Sequence, residues 1–280
     1  ALNGARDVAD PAREHSRRLI NPEHAAAQEV SRILRVPSAF SVETFARGLV
    51  ELIGFQTEAN DTLVGKSLID FNRENPNSIL MCAAKRGDEV IVPNGSFVPQ
   101  AGDRVYVIGT PAETTRVLRS MGRAMSPIRR VSILGGGRIS QYLAWLLADL
   151  GTHVTIVEKD ENKCLALAEK LPKATIIHGD GTDHGLLESE GIFHCDAFIA
   201  VTDRDEENLL MALTAKRYGV KKVVPKMSRM GYLDIVNLTG LDTVISPKAV
   251  IAGQISSYVR GLANSQGSAV ESLHYILGGA

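Results

Sequence analysis

What the 280-residue chain has little of narrows its chemistry first. It contains three cysteines, Cys82, Cys164 and Cys195, scattered singly along the chain. With no C-x-x-C pair, neither a disulfide framework nor a cysteine-based zinc site is expected, and single buried thiols suit a reducing compartment. Charge of one sign is also missing, because 31 basic residues against 32 acidic ones leave a net charge of −1. No broad positive field remains to draw in nucleic acid or an anionic membrane, and no helix-turn-helix segment is evident. There is no apolar run long enough to cross a bilayer as a helix and no signal-peptide pattern. The chain does not begin with methionine, so it reads as a fragment or a processed protein.

What the chain does have is a glycine run in a telling setting. A β-branched and leucine run, Arg129-Arg-Val-Ser-Ile-Leu134, breaks on Gly135-Gly136-Gly137-Arg138-Ile139-Ser140, resumes at helical spacing, and returns to a short strand, His153 to Glu158. Strand, glycine turn, helix, strand and closing acid in this order are the βαβ unit that holds a nucleotide diphosphate. Gly135 and Gly137 let the main chain approach phosphate oxygens with no Cβ in the way. The first helical amides then face the anion, helped by the positive end of the helix dipole. Ile139, Leu143, Leu146, Leu147 and Leu150 recur at the spacing of a helix with one buried side. Glu158 lies about 20 residues after the glycines, where a carboxylate reaches ribose hydroxyls. That same carboxylate argues against NADP(H), whose extra phosphate it would repel. Ser140 stands where the third glycine is usual and packs almost as closely.

The remainder divides around this unit. Ile20 to Arg35 aligns without gaps on Ile245 to Arg260, with proline, alanine, serine and arginine coinciding, and Val42-Glu43 echoes Val270-Glu271. A repeat of such long period indicates duplicated domains. The expected organisation is a polar remnant of a first nucleotide-binding domain with its crossover helix over 1–36 and a small α+β module over 37–123. A Rossmann-like parallel-sheet domain follows over 128–246, then a crossover helix over 247–264 and the start of a second small module over 265–280. In the small module, strands are expected over 49–55, 79–83, 89–92 and 104–108, helices over 64–71 and 113–121, and hairpin turns at 86–88 and 99–103. In the larger domain, strands over 174–178, 196–201, 222–226 and 242–245 alternate with helices over 161–171, 185–190 and 205–218. The fold class is α/β: a doubly wound parallel sheet plus the small α+β module.

Loops leaving the carboxyl ends of these strands carry Asp180, Thr202 and Asp203, where a parallel sheet offers its ligand crevice. Each of these also suits a turn or a helix cap, and for Asp183 and Asp205 the cap is the expectation. Acids at Asp180, Asp203 and Glu207 show no metal-ligand spacing, so no metal site is assigned.

Taken together, Gly135 to Ile139, Glu158-Lys159, Gly179-Asp180-Gly181-Thr182, Ala200 to Asp203 with Asp205-Glu-Glu-Asn208, Lys216 to Gly219 and Ile245-Ser-Pro247 resemble the TrkA proteins. These are cytosolic nucleotide-binding subunits of bacterial Trk potassium uptake systems, built from RCK domains. The resemblance spans nearly the whole chain and implies that Gly135, Gly136, Gly137, Arg138 and Ile139 wrap the diphosphate of NAD(H), with ATP or ADP as alternatives. It implies that Glu158 takes the adenosine ribose, that Lys159 lies beside it, that Asp180, Thr202 and Asp203 line the crevice, and that Lys226 reaches the ligand. It further implies a homo-oligomeric ring, cytoplasmic and peripheral at the inner face of the membrane, that regulates a TrkH-like potassium channel subunit, with the helix from Pro247 to Gly261 as lever. The alternative is an NAD-dependent oxidoreductase. A dehydrogenase brings an acid/base group on a substrate domain, and after 246 this chain offers one helix and a Ser/Gly-rich tail, so no catalytic residue is assigned.

Overall fold

The computed structural model describes residues 21–75, 80–123, 127–229, 231, 239–241 and 243–264. The expected remnant before residue 21 and the second small module after 264 lie outside the described residues.

Helix α1 (Pro22–Arg35) starts on Asn21, whose side chain accepts from the His24 amide at 3.0 Å, with proline in the first turn. Both features favour a helix start. Ala26, Ala27, Val30 and Leu34 form its buried side.

The small module is a five-stranded antiparallel sheet of β1 (Ala39–Phe45), β2 (Val50–Gln56), β3 (Leu80–Arg86), β4 (Glu89–Ile91) and β5 (Arg104–Gly109), ordered β1-β2-β5-β3-β4. Helices α2 (Leu68–Glu74) and α3 (Pro111–Ser120) cover it, and Phe55, Phe71, Val107 and Leu118 fill the core between them. Strand β1 was not expected, and α2 begins four residues later than predicted because Ser67 caps it by accepting from the Asp70 amide. Gly87 makes the expected hairpin between β3 and β4 with a positive φ of 59°. The second expected hairpin is corrected. Residues 99–103 do form a turn, closed by the Gln100 amide on the Asp103 carboxylate at 2.9 Å, but β5 lies between β2 and β3, so the turn leads across the sheet.

Two buried carboxylates hold this module together. Asp103 takes a bidentate pair from Arg86, at 2.8 and 2.7 Å. Asp61 takes one from Arg123, at 3.0 and 2.6 Å. Burial pushes the Asp103 carboxyl up, but the Arg86 and Gln100 hydrogen bonds outweigh it and leave the acid below its ordinary value. The same holds for Asp196 in the larger domain, where burial is outweighed by the Arg129 and Arg130 amides, each at 2.9 Å. A depressed folded-state pKa gives stability that is complete above the unfolded value, about 3.9 for aspartate, and is lost as pH falls through the folded one. In urea titrations Asp103→Asn is therefore expected to unfold earlier than wild type at pH 7, with the gap closing as pH falls below the ordinary aspartate range. A gap independent of pH would remove Asp103 from the acid response.

The larger domain is a five-stranded parallel sheet of β6 (Arg130–Leu134), β7 (His153–Glu158), β8 (Ala174–His178), β9 (Ala197–Ala200) and β10 (Lys222–Pro225), ordered β10-β9-β6-β7-β8. Its helices are α4 (Arg138–Ala148), α5 (Glu161–Lys170), α6 (His184–Ser189) and α7 (Asp205–Arg217). Successive residues of β6 point to opposite faces: Val131 and Ile133 join Leu143, Leu147 and Leu167, while Leu134 joins Leu187, Met211 and Ala215. Leu150, expected on the buried side of α4, lies past its end and is exposed. The predicted sixth strand reduces, among the described residues, to a single parallel bridge between Lys226 and Ile245. The order of the strands reverses between β6 and β9, which puts the ligand crevice at their carboxyl ends.

The two parts are joined by packing and by a buried lysine. The apolar side of α1 shares one core with β6 and α4, and Glu23 pairs with Arg138 at 3.8 Å. Lys222, at the start of β10, donates to the Ala39 carbonyl of β1 at 2.5 Å and to Thr243 Oγ1 at 2.7 Å. Helix α8 (Pro247–Asn264) places Val250 against the parallel-sheet core and touches α1, while Ile255 is exposed. The side chains of Tyr258 and Val259 on the same helix lie outside the described residues. Among the described residues no helix is long and apolar enough to cross a membrane.

Candidate functional site

The glycine turn leaves β6 with Gly135 in the left-handed region, at a φ of 96°. Its amide still continues the sheet by donating to the Val157 carbonyl at 2.8 Å. A Cβ here would lie 3.1 Å from the Thr202 amide nitrogen, so the loop after β6 rests directly on the loop after β9. Gly136 is hemmed in by Leu167 and Glu158. Gly137 differs from both: its φ is −69°, and a Cβ there would meet nothing within 4 Å. It is also the residue before the first turn of α4, and no side chain caps that helix. Helices α1, α2, α3, α5 and α6 all have such a cap. The first amides of α4 have no acceptor within their own helix. An open glycine at an uncapped, amide-rich helix start fits a diphosphate.

Ser140 has a part of its own. It is fully buried and its hydroxyl donates to the Gly135 carbonyl, so the serine latches the loop as well as packing in the third glycine's place. Arg138 is three-quarters exposed and leans toward Glu23, while the Ile139 side chain belongs to the core, leaving that residue its backbone amide to offer a ligand.

Glu158 ends β7, mostly buried, with Oε2 accepting from the Gly136 amide at 2.8 Å and Oε1 from the Asp160 amide at 2.9 Å. The carboxylate is thus beside the glycine loop, as the spacing predicts, and it also braces that loop. Lys159 is exposed, its carbonyl within 3.1 Å of His178 Nε2.

Asp180 lies beyond the immediate neighbours of β6, after β8, although Gly181 brings its loop back against Leu134. The Asp180 side chain is exposed and folds onto its own turn. The Thr182 amide, at 2.8 Å, and then the Thr182 hydroxyl, at 2.7 Å, hold its carboxyl below the usual range. Thr202 lies against the glycine loop at Gly135, and Asp203 follows it in the same loop. Asp203 is fully exposed, and its Oδ1 is 3.9 Å from Nζ of Lys226, whose side chain is only 11% exposed. Lys226 is thus a largely buried side chain whose pairing with Asp203 is at the long limit of an ion pair.

Two residues around these loops escaped the sequence reading in their present roles. Asp183 caps α6 as expected. Asp205 does not cap α7, since Arg204 holds that place; its buried carboxylate accepts from the Ser228 and Arg229 amides, each at 2.9 Å. Asn208, fully buried one turn later, binds both Thr202 and Lys226. The signal was present: Asp205, Asn208, Ala212 and Ala215 recur at helical spacing, which puts two polar residues on a buried face.

Residues 131–247 match the TrkA-N domain and residues 52–122 the TrkA-C domain. The chain belongs to the TrkA family. A Methanosarcina mazei relative named Trk system potassium uptake protein trkA homolog 1 is 34% identical over 263 residues, covering 92% of this chain and 64% of the relative. The Trk system potassium uptake protein TrkA of Halomonas elongata is 34% identical over 243 residues, 86% of this chain and 53% of its own length. This TrkA-family chain thus spans between 53% and 64% of the length of these relatives, less than two thirds of either. Among solved structures, the GsuK RCK domain superposes with a TM-score of 0.62 at 15% identity, over 91% of this chain and 56% of that one. The GsuK channel bound to NAD gives 0.61 at 16%, over 87% and 43%. At that identity the likeness is one of fold, and it agrees with the parallel sheet and small module described above.

Proposed function

We propose that this chain is the nucleotide-sensing part of a regulatory subunit of potassium uptake. NAD(H), or ATP or ADP in its place, binds across the crevice between β6 and β9, with its diphosphate at Gly137 and the first turn of α4. Gly135 and Gly136 shape the turn without side chains, Ile139 offers its amide, Arg138 and Lys226 supply charge, Glu158 and Lys159 lie at the ribose, and Asp180, Thr202 and Asp203 line the rim. Binding shifts the arrangement of the nucleotide-binding and small modules, by no more than the difference in affinity for the two arrangements. The readout is a membrane potassium channel subunit of the TrkH type, beneath which the full-length protein forms a ring at the inner membrane face. We divide the chain for this purpose as 1–36, 37–123, 128–246, 247–264 and 265–280, and we assign no catalytic residue.

The observation that carries this reading is the open Cβ position at Gly137 on an uncapped helix, with Glu158 on one side and a poorly neutralised Lys226 on the other. The names of the relatives supply the transport system, and GsuK supplies a channel of this fold bound to NAD. Calorimetric titration with NADH, NAD, ATP and ADP tests it. At least one is expected to bind, and Gly137→Ala, which meets no protein atom and keeps an ordinary φ, should melt within about 2 °C of wild type while binding at least tenfold more weakly. Binding of none of the four by wild type, or unchanged affinity in the variant, would overturn the assignment. Glu158→Ala should weaken binding too, but it also removes the acceptor that braces Gly136, so its effect mixes ribose contact with loop order.

A further inference from the structure

We infer that Asn208 is the positioning residue of the nucleotide crevice: one buried amide that sets the spacing between the loop after β9 and the end of β10. This rests on the nucleotide-binding reading above. Asn208 lies in the first turn and a half of α7 and is fully buried. Its Oδ1 accepts from the Thr202 amide at 2.9 Å and from the Thr202 hydroxyl at 2.8 Å. Its Nδ2 donates to the Thr202 carbonyl and to the Lys226 carbonyl, each at 3.1 Å. Both acceptor directions of the oxygen and both protons of the nitrogen are thereby used, which also decides which way the amide faces.

The geometry reaches further than those two residues. The Thr202 amide nitrogen held by Asn208 is the atom on which Gly135 rests, 3.1 Å from the Cβ that glycine lacks. Glycine loop, Thr202 loop and the Lys226 strand end are therefore in register through a single side chain that lies wholly inside the protein. No other residue type offers two donors and an acceptor of two bonds on so short an arm. Aspartate keeps the acceptors but turns an oxygen toward two carbonyls, and glutamine places the amide one methylene too far. Asp205, one turn earlier, fixes the Ser228 and Arg229 amides in the same manner, so the start of α7 holds this side of the crevice at two points.

If Asn208 places Thr202 and Lys226 for phosphate, its loss must weaken the phosphate-dependent share of binding selectively. Calorimetry of wild type and Asn208→Ala with ADP and with adenosine measures that share. The expected result is at least a tenfold loss for ADP with adenosine changed less than twofold. An equal loss for both ligands, or none for either, overturns the proposal, whereas absence of ADP binding and of adenosine binding by wild type would also remove the functional reading beneath it. Hydrogen exchange on wild type needs no variant. The Thr202 amide is expected to be protected with and without ADP, because its acceptor is part of the protein; rapid exchange in the nucleotide-free protein overturns the assignment even if Asn208→Ala does not fold.

Discussion

Asp61→Ala is expected to cost the small module about 3–5 kcal/mol, the range for breaking a buried ion pair from one side. Both partners are nearly inaccessible, with 6% of the Arg123 side chain and 3% of the Asp61 side chain exposed. Removing the carboxylate leaves a guanidinium under the Phe55 ring, at 4.8 Å from its centroid, with the Gln56 carbonyl as its remaining acceptor. It also strips the Glu58 amide of its partner at 2.7 Å. Against a total stability of about 5–15 kcal/mol for an ordinary domain, such a loss is a large fraction. The measurement is chemical denaturation followed on the small module, with Asp61→Ala/Arg123→Met as control. The double variant removes the stranded charge and should recover part of the loss. A loss below about 1 kcal/mol in the single variant would place the pair among solvated surface bridges.

Gly135→Ala is the second large effect, and it should strike stability and binding together. At a φ of 96° an alanine is strained, by about 1–3 kcal/mol. Its Cβ would meet the Thr202 backbone at 3.1 and 3.2 Å, atoms that cannot rotate aside. Melting is expected to fall by several degrees, and nucleotide affinity by more than in Gly137→Ala, because the whole loop must shift. A Gly135→Ala protein with wild-type melting and wild-type affinity would show that the turn tolerates an ordinary residue and would weaken the case for a phosphate loop.

How much of this was readable in one dimension follows from where each contact lies along the chain. The parallel unit was legible because its signals are local. Strand β8 (Ala174–His178) matches the predicted bounds, and the buried side of α4 follows from the spacing of Ile139, Leu143 and Leu147. Gly135, Gly137 and Glu158 stand in the strand ends and turn that the pattern demands. The contacts that brace the site are not local. Asp61 and Arg123 are 62 positions apart, and Asn208 and Lys226 are 18 apart, so neither pairing leaves a periodic trace. Strand β1 went unread because Ala39–Phe45 mixes serine, glutamate and threonine with its apolar residues, and its pairing partner β2 supplies the order. The 99–103 turn read as a hairpin because hairpin and crossover use the same turn residues, and strand order alone separates them. The last strand failed for a related reason: the β-branched triplet Thr243-Val-Ile245 suffices to predict a strand, yet among the described residues the sheet engages it through the single Lys226–Ile245 bridge.

The lysine at the foot of β10 has a mechanical corollary. Lys222 and Lys226 stand at opposite ends of the same stretch of backbone, about 13 Å apart at the rise of a parallel strand. The mouth of the crevice and the first strand of the small module are therefore mounted on one short rod. Translation of the module along the sheet would pull the Ala39 carbonyl off a buried ammonium, 5% exposed, while Thr243 of the larger domain stays with it, a penalty of about 1.5–3 kcal/mol for a hydrogen bond to a charged group. Tilting about the ammonium keeps both bonds. This contact therefore resists sliding of the module past the nucleotide sheet more than rocking about Lys222, and Lys222→Met would remove that resistance.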